Sequence, residues 1–133
     1  MGTHRGNQFA ISYEKGLVHI FAAVSIGASG APTLVASKNQ GIKSVTRNSA
    51  GNYTVTFGAI GQAGIDKYQR LMSMDGCVSN VTASAIIAVQ PLADAVASGS
   101  MTVVTSSASA TAADPESGST LLLHFVVKNS TVV

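Results

Sequence analysis

Two histidines and a scattered set of carboxylates are the side chains of this sequence most suited to chemistry. His19 and His124 each lie in an apolar segment typical of a β-strand, and a shared sheet would make them neighbours. The carboxylates are distributed singly along the chain: Asp66, Asp75, Asp94, Asp114 and Glu116. Glycosidase-type catalysis needs a carboxylate pair, and a calcium loop needs oxygen ligands at short alternating spacings. Neither pattern occurs, and a histidine among Leu, Phe and Val is typical of packing in a core or an interface.

A hydrolase would also require a nucleophile held beside a base and an orienting group. The segment GASG at residues 27–30 lacks the spacing and the strand-to-helix context of a nucleophile elbow. Cys77 is the only cysteine, which excludes an intrachain disulfide and a cysteine zinc site. The glycines of residues 58–64 precede no amphipathic helix, as a phosphate-binding loop would require. We predict no enzymatic activity, and no catalytic, cofactor-binding or metal-binding residue.

The composition indicates a single domain with an unusually neutral surface. The chain has 133 residues, of which 46% are apolar and only 11% charged, and its net charge is +2. Its eight basic residues are dispersed, so nucleic-acid binding is not predicted. No stretch approaches the roughly 20 apolar residues of a membrane helix. A surface so poor in charge suits permanent contacts with protein partners, although a weakly charged monomer is the alternative.

The clearest structural signal is a β-hairpin over residues 41–57. Two segments of alternating polarity flank a polar loop that contains Gly51, with residues 48–52 as the predicted loop. The predicted cross-strand pairs are Lys43 with Phe57, Val45 with Val55, Thr46 with Thr54, and Arg47 with Tyr53. Val45, Tyr53, Val55 and Phe57 should therefore share one face, and Thr54 and Thr56 the other.

The other apolar segments extend this pattern to the whole chain. The segment 17–26 imitates the apolar part of a secretory signal, but it is short and contains His19, so we interpret it as a strand. Further strands are predicted at residues 8–13, 32–37, 68–74, 78–89, 101–111 and 119–128, the last being central because it is dense in Leu, Phe and Val. The fold prediction is all-β: a single antiparallel β-sandwich or jelly roll of about eight strands. Residues 1–16 form an N-terminal arm or edge strand, and residues 17–133 form the domain.

Two parts of the sequence resemble a known family. GIKSVTR at residues 41–47, continued by GNYTVTF at residues 51–57, resembles a recurrent hairpin of small virion proteins of tailed bacteriophages. The segment TAADP at residues 111–115, followed by the apolar strand at 121–127, is also similar to those proteins. Comparable hairpins occur in the jelly-roll heads of complement-type and tumour-necrosis-factor-like trimers and in phage fibre tips. The resemblance implies a trimeric sandwich or jelly roll on a virus particle.

Among virion roles, we expect a capsid decoration (cement) protein that binds the outer surface of the head as a homotrimer. Its partner would be the major capsid protein, and residues 1–13 would contact another subunit. The alternative is a receptor- or glycan-binding knob of a phage fibre, in which Tyr13, Tyr53 or Tyr68 would stack on a sugar. A small hydrolase on the same scaffold is a third reading.

Overall fold

The computed structural model describes residues 17–58, 68–83 and 85–129. These residues form eight strands: β1 (Leu17–Ile26), β2 (Pro32–Gln40), β3 (Ile42–Ser49), β4 (Asn52–Phe57), β5 (Tyr68–Ser79), β6 (Ala88–Pro91), β7 (Ser100–Ser106) and β8 (Thr120–Asn129). Two antiparallel sheets, ordered β2-β1-β8-β5 and β3-β4-β7-β6, pack face to face. The predicted all-β sandwich is confirmed. The helical turns in the described ranges are short, and none is suited to span a membrane.

The core forms because the central strands largely alternate between buried and accessible side chains, although β1 departs from this pattern where Ala22, Ala23 and Val24 are all buried. In β4, Tyr53, Val55 and Phe57 are buried, whereas the residues between them are partly accessible. The Phe57 ring meets the ring of Phe125, from the opposite sheet, edge to face with centroids 5.3 Å apart. Burying one such aromatic side chain contributes about 2 to 3 kcal/mol. The period of two in the sequence therefore directs one face of each sheet into the shared core.

The hairpin of β3 and β4 has the predicted register at its centre. Val45 pairs with Val55, Thr46 with Thr54, and Arg47 with Tyr53, so the predicted division of the faces is confirmed. The ends differ from the prediction, because Ile42 rather than Lys43 lies opposite Phe57 and the register shifts near both ends of β3. Ser49 pairs with Asn52, which shortens the predicted loop to a two-residue turn at Ala50 and Gly51.

The other strand predictions have mixed outcomes. β8 is central, as predicted, because it lies between β1 and β5. The predicted continuous strand at residues 78–89 is wrong: β5 ends at Ser79, and β6 begins only at Ala88. The Asn80 side chain binds both the amide and the carbonyl of Ile86, and these bonds replace a strand ladder. The prediction for residues 8–13 and the arm at residues 1–16 lie outside the described residues.

The carboxylate of Asp114 connects the hairpin to two distant loops. It accepts two hydrogen bonds from the Arg47 guanidinium, at 2.9 and 2.7 Å, and one from the backbone amide of Gly51 at 2.9 Å. The hydroxyl of buried Tyr53 lies 3.1 Å from both Asp114 Oδ1 and the carbonyl oxygen of Gly30. The hydrogen bonds between Arg47 and Asp114 alone join residues 67 positions apart. We call these five residues the Asp114 cluster.

The same contacts determine the charge states within the Asp114 cluster. Hydrogen bonds from Arg47 lower the pKa of Asp114, an effect that partial burial opposes and that the Gly51 amide and the Tyr53 hydroxyl reinforce. The pKa of Tyr53 is raised, mainly by burial and also by the charge of Asp114. The cluster therefore contains an ionised carboxylate beside a neutral phenol at neutral pH.

Replacing Asp114 with Asn tests the role of this carboxylate. The amide keeps the shape but loses the charge, so we expect Asp114→Asn to lower the free energy of unfolding by about 1 to 3 kcal/mol at pH 7. Because the native pKa is lowered, the stabilisation by Asp114 is present above the unfolded pKa of about 4 and is lost as the pH falls through the native value. The difference between wild type and variant in urea unfolding should therefore shrink below about pH 4. A difference that stays constant down to pH 2 would contradict this account.

Gly51 is the second sensitive position of the hairpin. Its φ of +67° lies in the left-handed region, and a Cβ would overlap the amide nitrogen of Ala113 and the carbonyl oxygen of Thr105. We expect Gly51→Ala to destabilise the fold by about 3 kcal/mol, measured by thermal or urea unfolding. Ala50→Gly, at the exposed neighbouring position, is the control and should change stability by less than about 1 kcal/mol.

Candidate functional site

The two outer faces of the sandwich differ in chemistry. The outer side of the sheet β3-β4-β7-β6 presents mainly short polar groups along its central strands, with Val104 as an apolar member, and we call it the hydroxyl face: Asn52, Thr54, Thr56, Ser100, Thr102, Val104 and Ser106. The outer side of the sheet β2-β1-β8-β5 is lined by aliphatic and aromatic groups with few charges, and we call it the apolar face: His19, Phe21, Ala23, Leu122, His124, Val126, Asp75 and Cys77. Phe21 is 45% exposed and Leu122 40% exposed.

The centre of the apolar face is a pair of histidines on adjacent strands. β1 and β8 pair antiparallel, with Phe21 opposite His124 and His19 opposite Val126, so the two imidazoles are diagonal neighbours. His19 Nδ1 and His124 Nε2 lie 3.1 Å apart, within hydrogen-bond distance. The ring of Phe21 stacks on that of His124, with centroids 4.4 Å apart and an angle of 5° between the planes. The structure thus brings together the two histidines, as the sequence predicted for a shared sheet. Of the two positions considered for them, a core or an interface, it excludes the core, because both lie on an outer face of the sandwich.

The position of Asp75 indicates which of the two histidines donates the hydrogen bond. Its Oδ2 lies 3.7 Å from Nδ1 of His124, and the two residues are directly opposite each other on β5 and β8. A carboxylate on this side favours a proton on His124 Nδ1, which leaves Nε2 of that ring as the acceptor. His19 Nδ1 then donates to His124, and His19 Nε2 remains as a free acceptor at the end of the row. The three side chains form an ordered polar line across an otherwise apolar face.

A groove beside this line has a volume of about 400 Å³. Its lining is mostly apolar and comes from the three strands β1, β8 and β5, including Phe21, Ala23, Cys77 and Leu122. Polar groups are found at Lys38 on β2, Asp75 on β5 and His124 on β8. This volume lies within the range of about 300 to 1,000 Å³ usual for small-molecule sites. The groove can therefore hold one large side chain or a small ligand.

The arrangement offers little for covalent or metal chemistry in the part of the chain described. Cys77 is exposed and lines the same groove as His124, but neither ring of the histidine pair is hydrogen-bonded to its thiol. A nucleophile has to lie within hydrogen-bond reach of its base. Among the described residues, no group of three or more His, Cys, Asp or Glu side chains is placed to hold a metal ion. The chemistry that remains is proton sharing between two imidazoles and apolar contact.

The other candidate residues of the sequence are dispersed in the structure. Asp94 accepts hydrogen bonds from the amides of Leu71 and Val96, and Glu116 accepts one from the amide of Thr82, so both anchor loops. Two of the tyrosines considered for sugar stacking are buried, Tyr53 fully and Tyr68 to 6% exposure. Tyr13 and Asp66 lie outside the described residues.

Sequence reasoning missed Phe21 and Leu122 as surface groups, and Asp75 as the partner of His124. Part of the signal was present, because His19 and Phe21 alternate with the buried Ile20 and Ala22. This alternation places the two aromatic side chains on one face of the strand. It gives no indication that His124 and Asp75, from two other strands, lie beside them.

The direction of the hydrogen bond between the histidines can be tested through the tautomers of the two rings. We expect ¹⁵N-edited NMR of the imidazoles to show one preferred tautomer for His124, with the proton on Nδ1, under conditions in which both rings are neutral. Asp75→Asn should weaken this preference, because the carboxylate beside Nδ1 is lost. Rings that interconvert freely between tautomers in the wild type would contradict the assigned direction.

The residues that produce the resemblance to phage virion proteins belong to the fold rather than to this face. Arg47, Gly51, Tyr53 and Asp114 all lie within the resembling segments, and the first three each form a hydrogen bond with Asp114. The residues of the hairpin pattern therefore stabilise the sandwich. Comparisons of the chain with protein-family models, curated protein sequences and solved structures gave no match.

Proposed function

We propose that this protein is a non-enzymatic structural component of a bacteriophage particle, a homotrimeric capsid decoration protein bound to the outside of the head. The observation that supports this best is the contrast between the two outer faces of the sandwich. In a monomer, Phe21 and Leu122 would leave apolar surface in contact with water, whereas the central strands of the other sheet present mainly threonine and serine. An apolar face on one side and a neutral polar face on the other suit a subunit with two kinds of protein contact.

The low charge of the chain supports the same proposal. Only 11% of its residues are charged, and Thr54, Thr56 and Thr102 present hydroxyl groups on the hydroxyl face. Hydroxyl groups can exchange hydrogen bonds with water for bonds with a partner at modest cost, whereas charged groups lose more hydration. Such a surface is compatible with permanent attachment to a shell. The resemblance of the hairpin to small virion proteins is the reason for proposing a bacteriophage particle.

A receptor- or glycan-binding knob of a phage fibre is the second candidate, and the groove favours it. An exposed aromatic ring, Phe21, lies beside Asp75 and Lys38, and this combination of a stacking surface with polar groups suits a sugar. Since Tyr53 and Tyr68 are buried, Phe21 replaces them as the ring that a knob would use.

The proposed function can be tested on phage heads that lack the protein. A decoration protein binds the assembled shell in preference to free coat subunits, and it stabilises each site by about 2.7 kcal/mol at a hundredfold excess over its dissociation constant. We expect heads without it to burst at a lower temperature, and purified protein to restore their resistance. Protein with Gly51→Ala, which weakens the fold, is the control and should restore it less. If heads that lack the protein are equally stable but the particles no longer adsorb to cells, the decoration function is wrong and the receptor-binding function is supported.

A further inference from the structure

We infer that the apolar face is the surface through which copies of this chain meet, with the β2 edge of one copy against the β5 edge of the next around a threefold axis. This inference rests on the homotrimer of the proposed function, but it concerns which surface of each subunit forms the contacts between subunits. It does not depend on where the trimer is attached.

The composition of the face is the first support. Four strands about 4.8 Å apart, with a rise of about 3.4 Å per residue over the length of β1 and β8, give a face of about 600 Å² before its rims are counted. A ring divides this area between two neighbours, so the β2 and β5 edges must contribute to each contact for it to approach the roughly 800 Å² that each partner buries in a standard interface. The centre of the face contains no lysine, arginine or glutamate, and its exposed groups are Phe21, Leu122 and the partly exposed histidines. An aromatic and aliphatic centre without formal charge is typical of the core of an interface.

Charge complementarity between the two edges is the second support. Lys38 lies on β2, at one edge of the sheet, and Asp75 lies on β5, at the other edge, with its side chain 80% exposed. β1 and β8 separate them by three strand spacings, about 14 Å, so they cannot pair within one chain. In a head-to-tail ring every copy offers its two different edges to its two neighbours. Lys38 of one copy then meets Asp75 of the next at each contact.

The groove indicates how the faces fit. It lies next to Phe21, so each copy presents both a protruding ring and an apolar depression lined by Ala23, Cys77 and Leu122. A small polar ligand would need several polar groups converging inside the groove, whereas most of its lining is apolar. An aromatic side chain from a neighbouring copy matches that lining better. A second copy of this chain is therefore the occupant that the face fits best.

The first experiment introduces a charge into each face in turn. Phe21→Asp places a carboxylate at the centre of the apolar face, and Thr102→Asp, on central strand β7, places one on the hydroxyl face. We expect analytical ultracentrifugation to show trimers for the wild type and for Thr102→Asp, and a dissociation constant raised by at least about 30-fold for Phe21→Asp. Circular dichroism and thermal unfolding show whether each variant is folded.

If Phe21→Asp stays trimeric while Thr102→Asp dissociates, the inference is wrong and the homotrimer remains. A monomeric wild type contradicts both the inference and the homotrimer, while attachment to heads is still decided by the test on phage heads.

The second experiment works even if Phe21→Asp fails to fold. Lys38→Asp and Asp75→Lys, made singly, should each raise the dissociation constant of the trimer by about 3- to 10-fold, because like charges then meet at every contact. The variant with both changes restores opposite charges between copies and should bind more tightly than either single variant, with the remaining deficit due to the lost contact of Asp75 with His124. Since the two side chains are too far apart to meet in one chain, restoration requires contact between chains. Additive losses in the double variant would overturn the proposed pairing of the edges.

Discussion

The carboxylate of Asp114 is the interaction on which the rest of the sandwich depends. It accepts hydrogen bonds from the turn end of one hairpin, through Arg47 on β3 and Gly51 in the turn, and it lies beside the Tyr53 hydroxyl that also reaches the carbonyl of Gly30. Three chain segments that are remote in sequence are thereby fixed at one end of the two sheets. Buried polar groups in such a network need all their partners, because an unsatisfied one costs about 1 to 3 kcal/mol. The close approach of the backbone at Gly51 follows from the same arrangement.

The loops beside Asp114 stabilise the fold, so we consider the two outer faces of the sandwich as the surfaces available for function. Both are built by the same alternation of residues along the strands, yet they differ in composition: threonine and serine on β4 and β7, and Phe21, Leu122 and two histidines on β1 and β8. Solvent alone does not account for this asymmetry, because water would favour polar groups on both. The histidine pair adds a polar contact to the apolar face, and it adds no formal charge while both rings are neutral. A face of this kind combines apolar attraction with a specific relative orientation of its partners.

Several elements could be predicted from the sequence because local chemistry decides them. The hairpin register at Val45 and Val55 follows from alternation on both sides of a glycine-bearing turn, and the central position of β8 follows from its density of Leu, Phe and Val. The strand predicted at residues 78–89 was wrong for an equally local reason. Asn80 binds the backbone of Ile86 through both ends of its amide and closes a loop where hydropathy indicates a strand. Hydropathy records which residues prefer burial, and it does not record such competition for backbone hydrogen bonds.

The sequence by itself determined the fold class, the shared face of Val45, Tyr53, Val55 and Phe57, and the register at the centre of one hairpin, since each of these depends on neighbours within a few residues. Only the tertiary structure decided that His19 and His124, 105 residues apart, share a hydrogen bond, and that Asp75 lies opposite His124. Alternation assigns a side chain to a face of its strand, but it leaves open which strand lies alongside and in which register. Those choices come from the packing of the whole sandwich, where the first and last described strands pair at the centre of one sheet. The groove and the apolar face exist only after that pairing is made.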